Sequence, residues 1–201
     1  MSERPTRRAE YAAATRRAIV DAARELFATR GYFATRVDDI AARARVAPPT
    51  VYAAGGKPAL LRALMEMWVS ATVIESTYRR VAELTDGTEI LRVTAAGTRR
   101  VREEWADIMR VVLGTAPHDE AAAEILAAAT AAYRKGMVLT ADRLAAIGAL
   151  RDDLTAAEAA DVLWFYFGYS SYFTLTDENG WSLDRAERWL LNAAHSALLH
   201  P

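Results

Sequence analysis

Apolar residues recur along this 201-residue chain at helical spacing almost from end to end, and the breaks between the runs are short. In the first run Ile19, Ala22, Ala23, Leu26 and Phe27 form one stripe. That predicts a helix over 9–29, ended by Gly31. Val37, Ile40, Ala41 and Ala44 form a second stripe. Ahead of it, Thr35-Arg36-Val37-Asp38 reads as a capping box with Asp38 in the acidic position, which predicts a short helix over 36–44. Arg45-Val46-Ala47 is a tight break. Pro48 and Pro49 suit a first helical turn, where their missing N–H groups cost little, so a third short helix is expected over 48–54, ended by Gly55-Gly56.

Pro58 opens a longer helix expected to reach Leu84, with Leu61, Leu64, Met65, Trp68 and Thr72 along one side and Asp86-Gly87 beyond its end. Helices over 88–103, 104–114 and 119–150 follow, the last with a bend near Gly136. Thr155 with Glu158 is a capping box for a helix to Thr174, and Ser182 caps a final helix to Leu199. Strand signals are scarce. The expected fold class is all-α, with about nine helices in total. It divides into an N-terminal three-helix unit over 1–57, with a basic arm at 1–10, and a larger helical body over 58–201.

Composition and charge sharpen this picture. With 52% apolar and 25% charged residues, the chain is globular. It has no cysteine, which excludes disulfides, thiolate metal sites and cysteine nucleophiles. No apolar run reaches the ~18 residues of a membrane span, and the polar, basic start leads straight into a helix without an apolar leader. A cytoplasmic protein with no membrane partner is expected. The net charge of −1 hides an asymmetry: residues 1–57 carry 11 Arg/Lys against 6 Asp/Glu, and the remainder carry 14 against 20. A basic head on an acidic body suits a polyanion at one end.

Two short helices joined by a turn of about three residues are a helix-turn-helix candidate. The second helix of such a motif can lie in the major groove while the first crosses the backbone. An ordinary helical hairpin in a bundle has the same spacing. The residues themselves go further. Gly31-Tyr32-Phe33-Ala34-Thr35-Arg36-Val37-Asp38-Asp39-Ile40-Ala41, followed by Ala44, Val46, Thr50, Val51, Tyr52, Lys57, Leu60 and Leu61, closely resemble the N-terminal DNA-binding segment of the TetR family of one-component repressors. The resemblance covers about residues 14–65.

By that resemblance Thr35 is expected to cap the second helix and touch a phosphate. Thr50 and Tyr52 stand where the family places backbone contacts, and Lys57 matches a phosphate-contacting lysine. Arg4, Arg7 and Arg8 form an arm for phosphates or a minor groove, with Arg16, Arg17, Arg36 and Arg45 as further cations. Two departures stand out. Family members usually carry an aromatic residue two or three positions after the tyrosine, whereas this chain has Tyr52-Ala53-Ala54-Gly55-Gly56-Lys57. The recognition helix, starting Pro48-Pro49-Thr50, also lacks the Arg, Lys, Asn and Gln that read base edges bidentately. Specificity is then expected to be modest and to come from thymine methyls, Thr50, Arg36, Arg45 or DNA shape.

The resemblance also implies a body that binds a small molecule and pairs two chains. Trp105, Met109, Tyr133, Met137, Trp164 and Phe167 are the expected lining of an apolar pocket for a small hydrophobic ligand. Each can equally be plain core. The homodimer is expected through the last two helices, with Leu183, Ala186, Leu190, Ala193, Ala194 and Ala197 as a stripe on the final one; the alternative is that this stripe closes the chain's own core. No cofactor or metal is expected: His118, His195 and His200 have no ligand spacing. No nucleophile elbow, P-loop or zinc motif supports an enzyme. The function read from the residues is a DNA-binding transcriptional regulator, a repressor released from its double-stranded operator by the ligand. The alternative is a helical protein-interaction module with lost or weak DNA binding.

Overall fold

The structure, a computed structural model, describes residues 6–200; Arg4 of the basic arm lies outside them. Among the described residues there are ten α-helical segments: α1 (Arg7–Arg30), α2 (Val37–Ala44), α3 (Pro48–Ala53), α4 (Gly56–Val69), α5 (Thr72–Glu83), α6 (Gly87–Thr115), α7 (Glu120–Ala146), α8 (Ala156–Phe167), α9 (Tyr169–Phe173) and α10 (Leu183–Leu198). A 3-10 turn (Ala116–His118) precedes α7 and a π-helical turn (Thr174–Glu178) follows α9. The extended backbone pairs only at an isolated bridge between Leu150 and Leu199 among these residues. The all-α expectation holds.

The chain forms two compact units. One comprises the described residues up to Trp68 with Asp107–Ala128; the other comprises Val69–Ala106 with the described residues from Ala129 onward. In the first unit, the α1 stripe of Ile19, Ala22, Ala23, Leu26 and Phe27 is buried, as are Ile40, Ala41, Val51, Leu60, Leu61, Leu64 and Trp68. α2 packs on α1 and α3 on α2. In the second unit, one cluster joins Ile90, Leu91, Ala141, Leu144, Leu163, Phe167, Tyr172, Leu190 and Leu198.

Several boundaries differ from expectation, each for a local reason. The helix expected over 58–84 stops at Val69, and α5 starts at Thr72. α4 buries Leu60, Leu61, Leu64, Met65 and Trp68, whereas Thr72 is exposed and α5 turns Thr77 and Val81 inward. The β-branched run Thr72-Val73-Ile74 fits a first turn better than a helix interior. The helices expected over 88–103 and 104–114 are one, α6, because Glu103-Glu104 contains neither Gly nor Pro to stop it. The helix expected to reach Thr174 ends at Phe167.

Thr35 is not the cap of α2. That position belongs to Arg36, whose backbone N–H donates to the Asp39 carboxylate at 3.2 Å, so Asp39 rather than Asp38 closes the turn. The buried Thr35 hydroxyl lies 2.8 Å from the Gly31 carbonyl and 3.2 Å from that of Leu26, tying the α1–α2 turn to the end of α1. In α10, Ala186, Leu190 and Ala194 are fully buried in the unit's own core. The alternative for that stripe therefore holds at these three positions, while Leu183, Ala193 and Ala197 are half-buried.

α5 approaches α7 closely because Gly136 has no side chain: a Cβ there would stand 1.9 Å from the Tyr78 hydroxyl oxygen. Gly136→Ala is expected to destabilise the protein by about 1–3 kcal/mol, the usual cost of overpacking a filled site. Urea unfolding would show this as a lower midpoint with an unchanged slope; an unchanged midpoint would mean that Tyr78 swings away freely.

Candidate nucleic-acid interface and effector cavity

α3 starts after Ala47, whose backbone is extended (φ −75°, ψ 145°), with both prolines in its first turn. Their fixed φ and missing N–H suit those two positions. Val51 points into the first unit's core and is fully buried. Pro48, Pro49, Ala53 and Tyr52 are exposed, Tyr52 by 64%. The outward face is therefore apolar apart from one phenol, and Thr50 at its margin is half-buried. After α3, Gly55 and Gly56 have φ of +95° and +65°. These values are open to glycine and costly for other residues. A double-glycine turn thus closes α3.

Arg45 ends α2 at φ +57°, in the left-handed region, where glycine is usual. A side chain there costs roughly 1–2 kcal/mol. It is exposed and directly precedes the α2–α3 turn. Among the described residues Arg16, Arg17, Arg36 and Arg45 carry no ion pair. Arg24, Arg30 and Arg43 do: Arg24 holds Asp107 bidentately at 2.9 and 3.0 Å, Arg43 meets Glu25 and Arg30 meets Asp39.

Lys57, the second residue of α4, is half-buried, and its ammonium sits 4.4 Å from the centroid of the Tyr32 ring. Burial lowers its pKa, and the Asp119 carboxylate opposes this. Tyr32 is shifted upward by burial and then by Asp119. The Thr35 hydroxyl, buried and directed to main-chain carbonyls, cannot reach a phosphate while the α1–α2 turn stays closed. Arg7 and Arg8 are exposed at the start of α1.

The second unit contains a small cavity of about 20 Å³, lined by Ile74, Thr77, Tyr78, Thr94, Gly97, Thr98, Val101 and Tyr133. That is room for about one water. Of the six residues expected to line a pocket, only Tyr133 does so. Trp164 joins it edge-to-face, with centroids 5.5 Å apart. Phe167 supplies its carbonyl, to which the Tyr133 hydroxyl donates at 2.7 Å, while its ring is core. Met137 is buried in the same core; Trp105 is buried on α6, and Met109 falls in the first unit.

The residue missed from sequence is Arg102. It is 1% exposed, donates to the Phe167 carbonyl at 3.2 Å and approaches the Tyr133 hydroxyl at 3.5 Å. Its guanidinium carbon lies 5.4–5.8 Å from the ring centroids of Tyr133, Tyr169, Tyr172 and Phe173. Burial pushes the phenols of Tyr78, Tyr169 and Tyr172 upward, that of Tyr169 to about 12, so they stay protonated. The break at Gly168 makes this arrangement possible. A Cβ there would stand 2.4 Å from the Trp164 carbonyl oxygen, and the break leaves the Phe167 carbonyl available to Tyr133 and Arg102.

Residues 19–64 form a helix-turn-helix segment, and the described residues share their fold with solved transcriptional regulators. Residues 19–64 match the sequence model described as bacterial regulatory proteins, tetR family. No curated protein matches the sequence. Solved structures agree over nearly the whole length. SmeT in its complex with triclosan is 20% identical, with 93% of this chain and 92% of that chain aligned at a TM-score of 0.75. A putative transcriptional regulator from Saccharomonospora viridis in complex with choline is 21% identical over 92% and 98%, at 0.75. The transcriptional regulator FadR from Bacillus subtilis in complex with stearoyl-CoA is 17% identical over 92% and 99%, at 0.72. At these identities the likeness is one of fold.

Arg45→Gly should separate folding from DNA binding. The variant is expected to unfold at a higher urea concentration, gaining about 0.5–1 kcal/mol from relief of the left-handed backbone. Its affinity for duplex DNA should fall by about threefold or more. Unaltered DNA affinity would remove Arg45 from the interface.

Proposed function

We propose that the chain is a homodimeric repressor whose head binds operator DNA and whose body releases it on taking up a small, largely apolar molecule. The observation that carries the DNA half is the α2–α3 motif, with an exposed apolar α3 flanked by the uncommitted guanidinium groups of Arg36 and Arg45. Arg36, Arg45, Thr50, Tyr52 and Lys57, with the arm, act mainly on the phosphate backbone, and Pro48, Pro49 and Tyr52 meet thymine methyls. Phosphate contacts give affinity and register but little sequence information. The fold shared with regulators solved in complex with triclosan, choline and stearoyl-CoA supports a ligand in the body.

Pairing through α8 and α10 has its own support. Phe165 and Trp189 are 69% and 51% exposed, large apolar side chains on the two helices expected to form the interface. Exposed aromatics of this size are candidates for partner contact. Two heads then reach half-sites one helical turn apart. Ligand weakens operator binding by favouring an arrangement of the dimer in which both heads cannot engage together, which requires that it bind that arrangement more tightly.

Duplex DNA from upstream of the protein's own gene should be retarded in a gel in a salt-sensitive way. Lys57→Ala should weaken binding to all sequences and reduce the slope of log K against log salt by about one. An unchanged slope removes Lys57 from the contacts; no salt-sensitive binding to any duplex leaves the helical interaction module. Trp189→Asp should convert the protein, in sedimentation, from the mass of two chains to that of one. A monomeric parent or a dimeric variant would overturn pairing through this face.

A further inference from the structure

We propose that the Asp119 carboxylate, at the turn between α6 and α7, competes with DNA phosphate for the Lys57 ammonium and so holds down the head's affinity for duplex DNA. The inference rests on the reading of Lys57 as a phosphate contact and adds a residue that works against it.

A run of stacked side chains links the two positions within the first unit. The Lys57 ammonium sits 4.4 Å from the centroid of the Tyr32 ring. Tyr32 meets Phe33 edge-on, with centroids 5.5 Å apart, and Phe33 meets the His118 ring at 6.5 Å. His118 ends the 3-10 turn after α6, and Asp119 follows it directly. Both ends of the run belong to the same compact unit. Asp119 is half-buried and fixed in place: its Oδ1 accepts from the Ala122 N–H at 2.9 Å, which caps the start of α7. Its charge acts on both groups at the far end of the run. Burial lowers the Lys57 pKa and Asp119 opposes this, while burial raises that of Tyr32 and Asp119 adds to the rise.

Two further observations separate the charge from the cap. Among the described residues no Lys or Arg forms an ion pair with Asp119, so its charge is not committed elsewhere. Capping does not require the charge, because Thr6, Thr155 and Ser182 cap α1, α8 and α10 with neutral hydroxyls. A phosphate can reach Lys57 in two ways, and Asp119 opposes both. If the ammonium stays over Tyr32, the phosphate approaches a like charge. If the ammonium swings outward, it gives up the attraction of Asp119 and the face of the ring. Partly buried charges are screened by salt less than exposed ones, so the opposition persists at working ionic strength.

The test removes the charge and keeps the cap. Asn caps a helix as well as Asp does, so Asp119→Asn should unfold at the urea midpoint of the parent. Affinity of the full-length protein for a random-sequence duplex is read by fluorescence anisotropy at one fixed, low salt concentration. Asp119→Asn should bind about threefold more tightly, the scale of one surface ion pair. The same substitution made in Lys57→Ala should leave affinity nearly unchanged. If Asp119→Asn unfolds early, Asp119→Ser supplies the same loss of charge with another capping side chain. Unaltered affinity in the folded, charge-free variant overturns the inference and leaves Asp119 a cap. Equal tightening with and without Lys57 overturns it too, since the carboxylate would then act on the phosphates directly. If the parent binds no duplex, or Lys57→Ala binds as tightly as the parent, the phosphate reading of Lys57 falls and takes the inference with it. If Lys57→Ala weakens binding while Asp119→Asn does not tighten it, the inference falls alone.

Discussion

A buried polar group costs free energy unless it keeps a partner, and that constraint shapes both units. Most of the buried threonines meet it within their own helix. Thr77, Thr94, Thr115 and Thr140 return their hydroxyl protons to the carbonyl four residues earlier, at 2.6–3.1 Å. Such bonds are cheap because they need no second element. Thr35 does something different with the same chemistry: it reaches back from the α1–α2 turn to α1 and fixes the angle at which α2 leaves. A helix-turn-helix head depends on that angle, since α3 inherits its direction from α2.

Arg102 cannot be satisfied in this local way. A charge taken out of water costs several kcal/mol unless several groups share it. The second unit answers with a broken helix. α8 stops at Gly168, where the Trp164 carbonyl leaves no room for a side chain, and the chain continues as the short α9 and a π turn. One carbonyl and four rings from this stretch and from α7 then surround the guanidinium. π-helical turns occur disproportionately at functional sites because they displace side chains from regular register. Here the irregularity follows the charge.

How far such features can be read from sequence depends on whether their cause is local. α1, α2, α3 and α10 were legible because their ends are marked by Gly31, the proline pair and Ser182, and because α1 and α10 each bury one clear stripe. The α4–α5 break was not, since Ser70-Ala71 carries no breaker and its one mark is a change of buried face. Gly168 carries no local mark of a helix end; its role depends on contact with the preceding turn. Arg102 was legible in principle. Leu91, Ala95, Thr98, Arg102, Trp105 and Met109 lie at successive spacings of three and four along α6, and all are buried. Dividing α6 at Glu103-Glu104 kept Trp105 and Met109 on a stripe and left the arginine off it. In the head, the sequence offers only candidate contact residues by type, whereas the left-handed backbone of Arg45 and the burial of Thr35 follow from backbone path.

The apolar face of α3 bears on the proposed pairing of two heads. A helix without bidentate donors distinguishes bases through methyl contacts and duplex shape, each worth on the order of 1–2 kcal/mol or less per position. One such head, held mainly by phosphates, would bind most duplexes nearly alike. Free energies add when two heads are joined, so a tenfold preference per half-site becomes about a hundredfold for the pair. The same arithmetic makes release easy. A ligand does not have to disturb either α3; favouring a spacing at which only one head engages removes the whole contribution of the other. A weakly reading recognition helix and a spacing-sensitive body are thus complementary, and the first is serviceable only with the second.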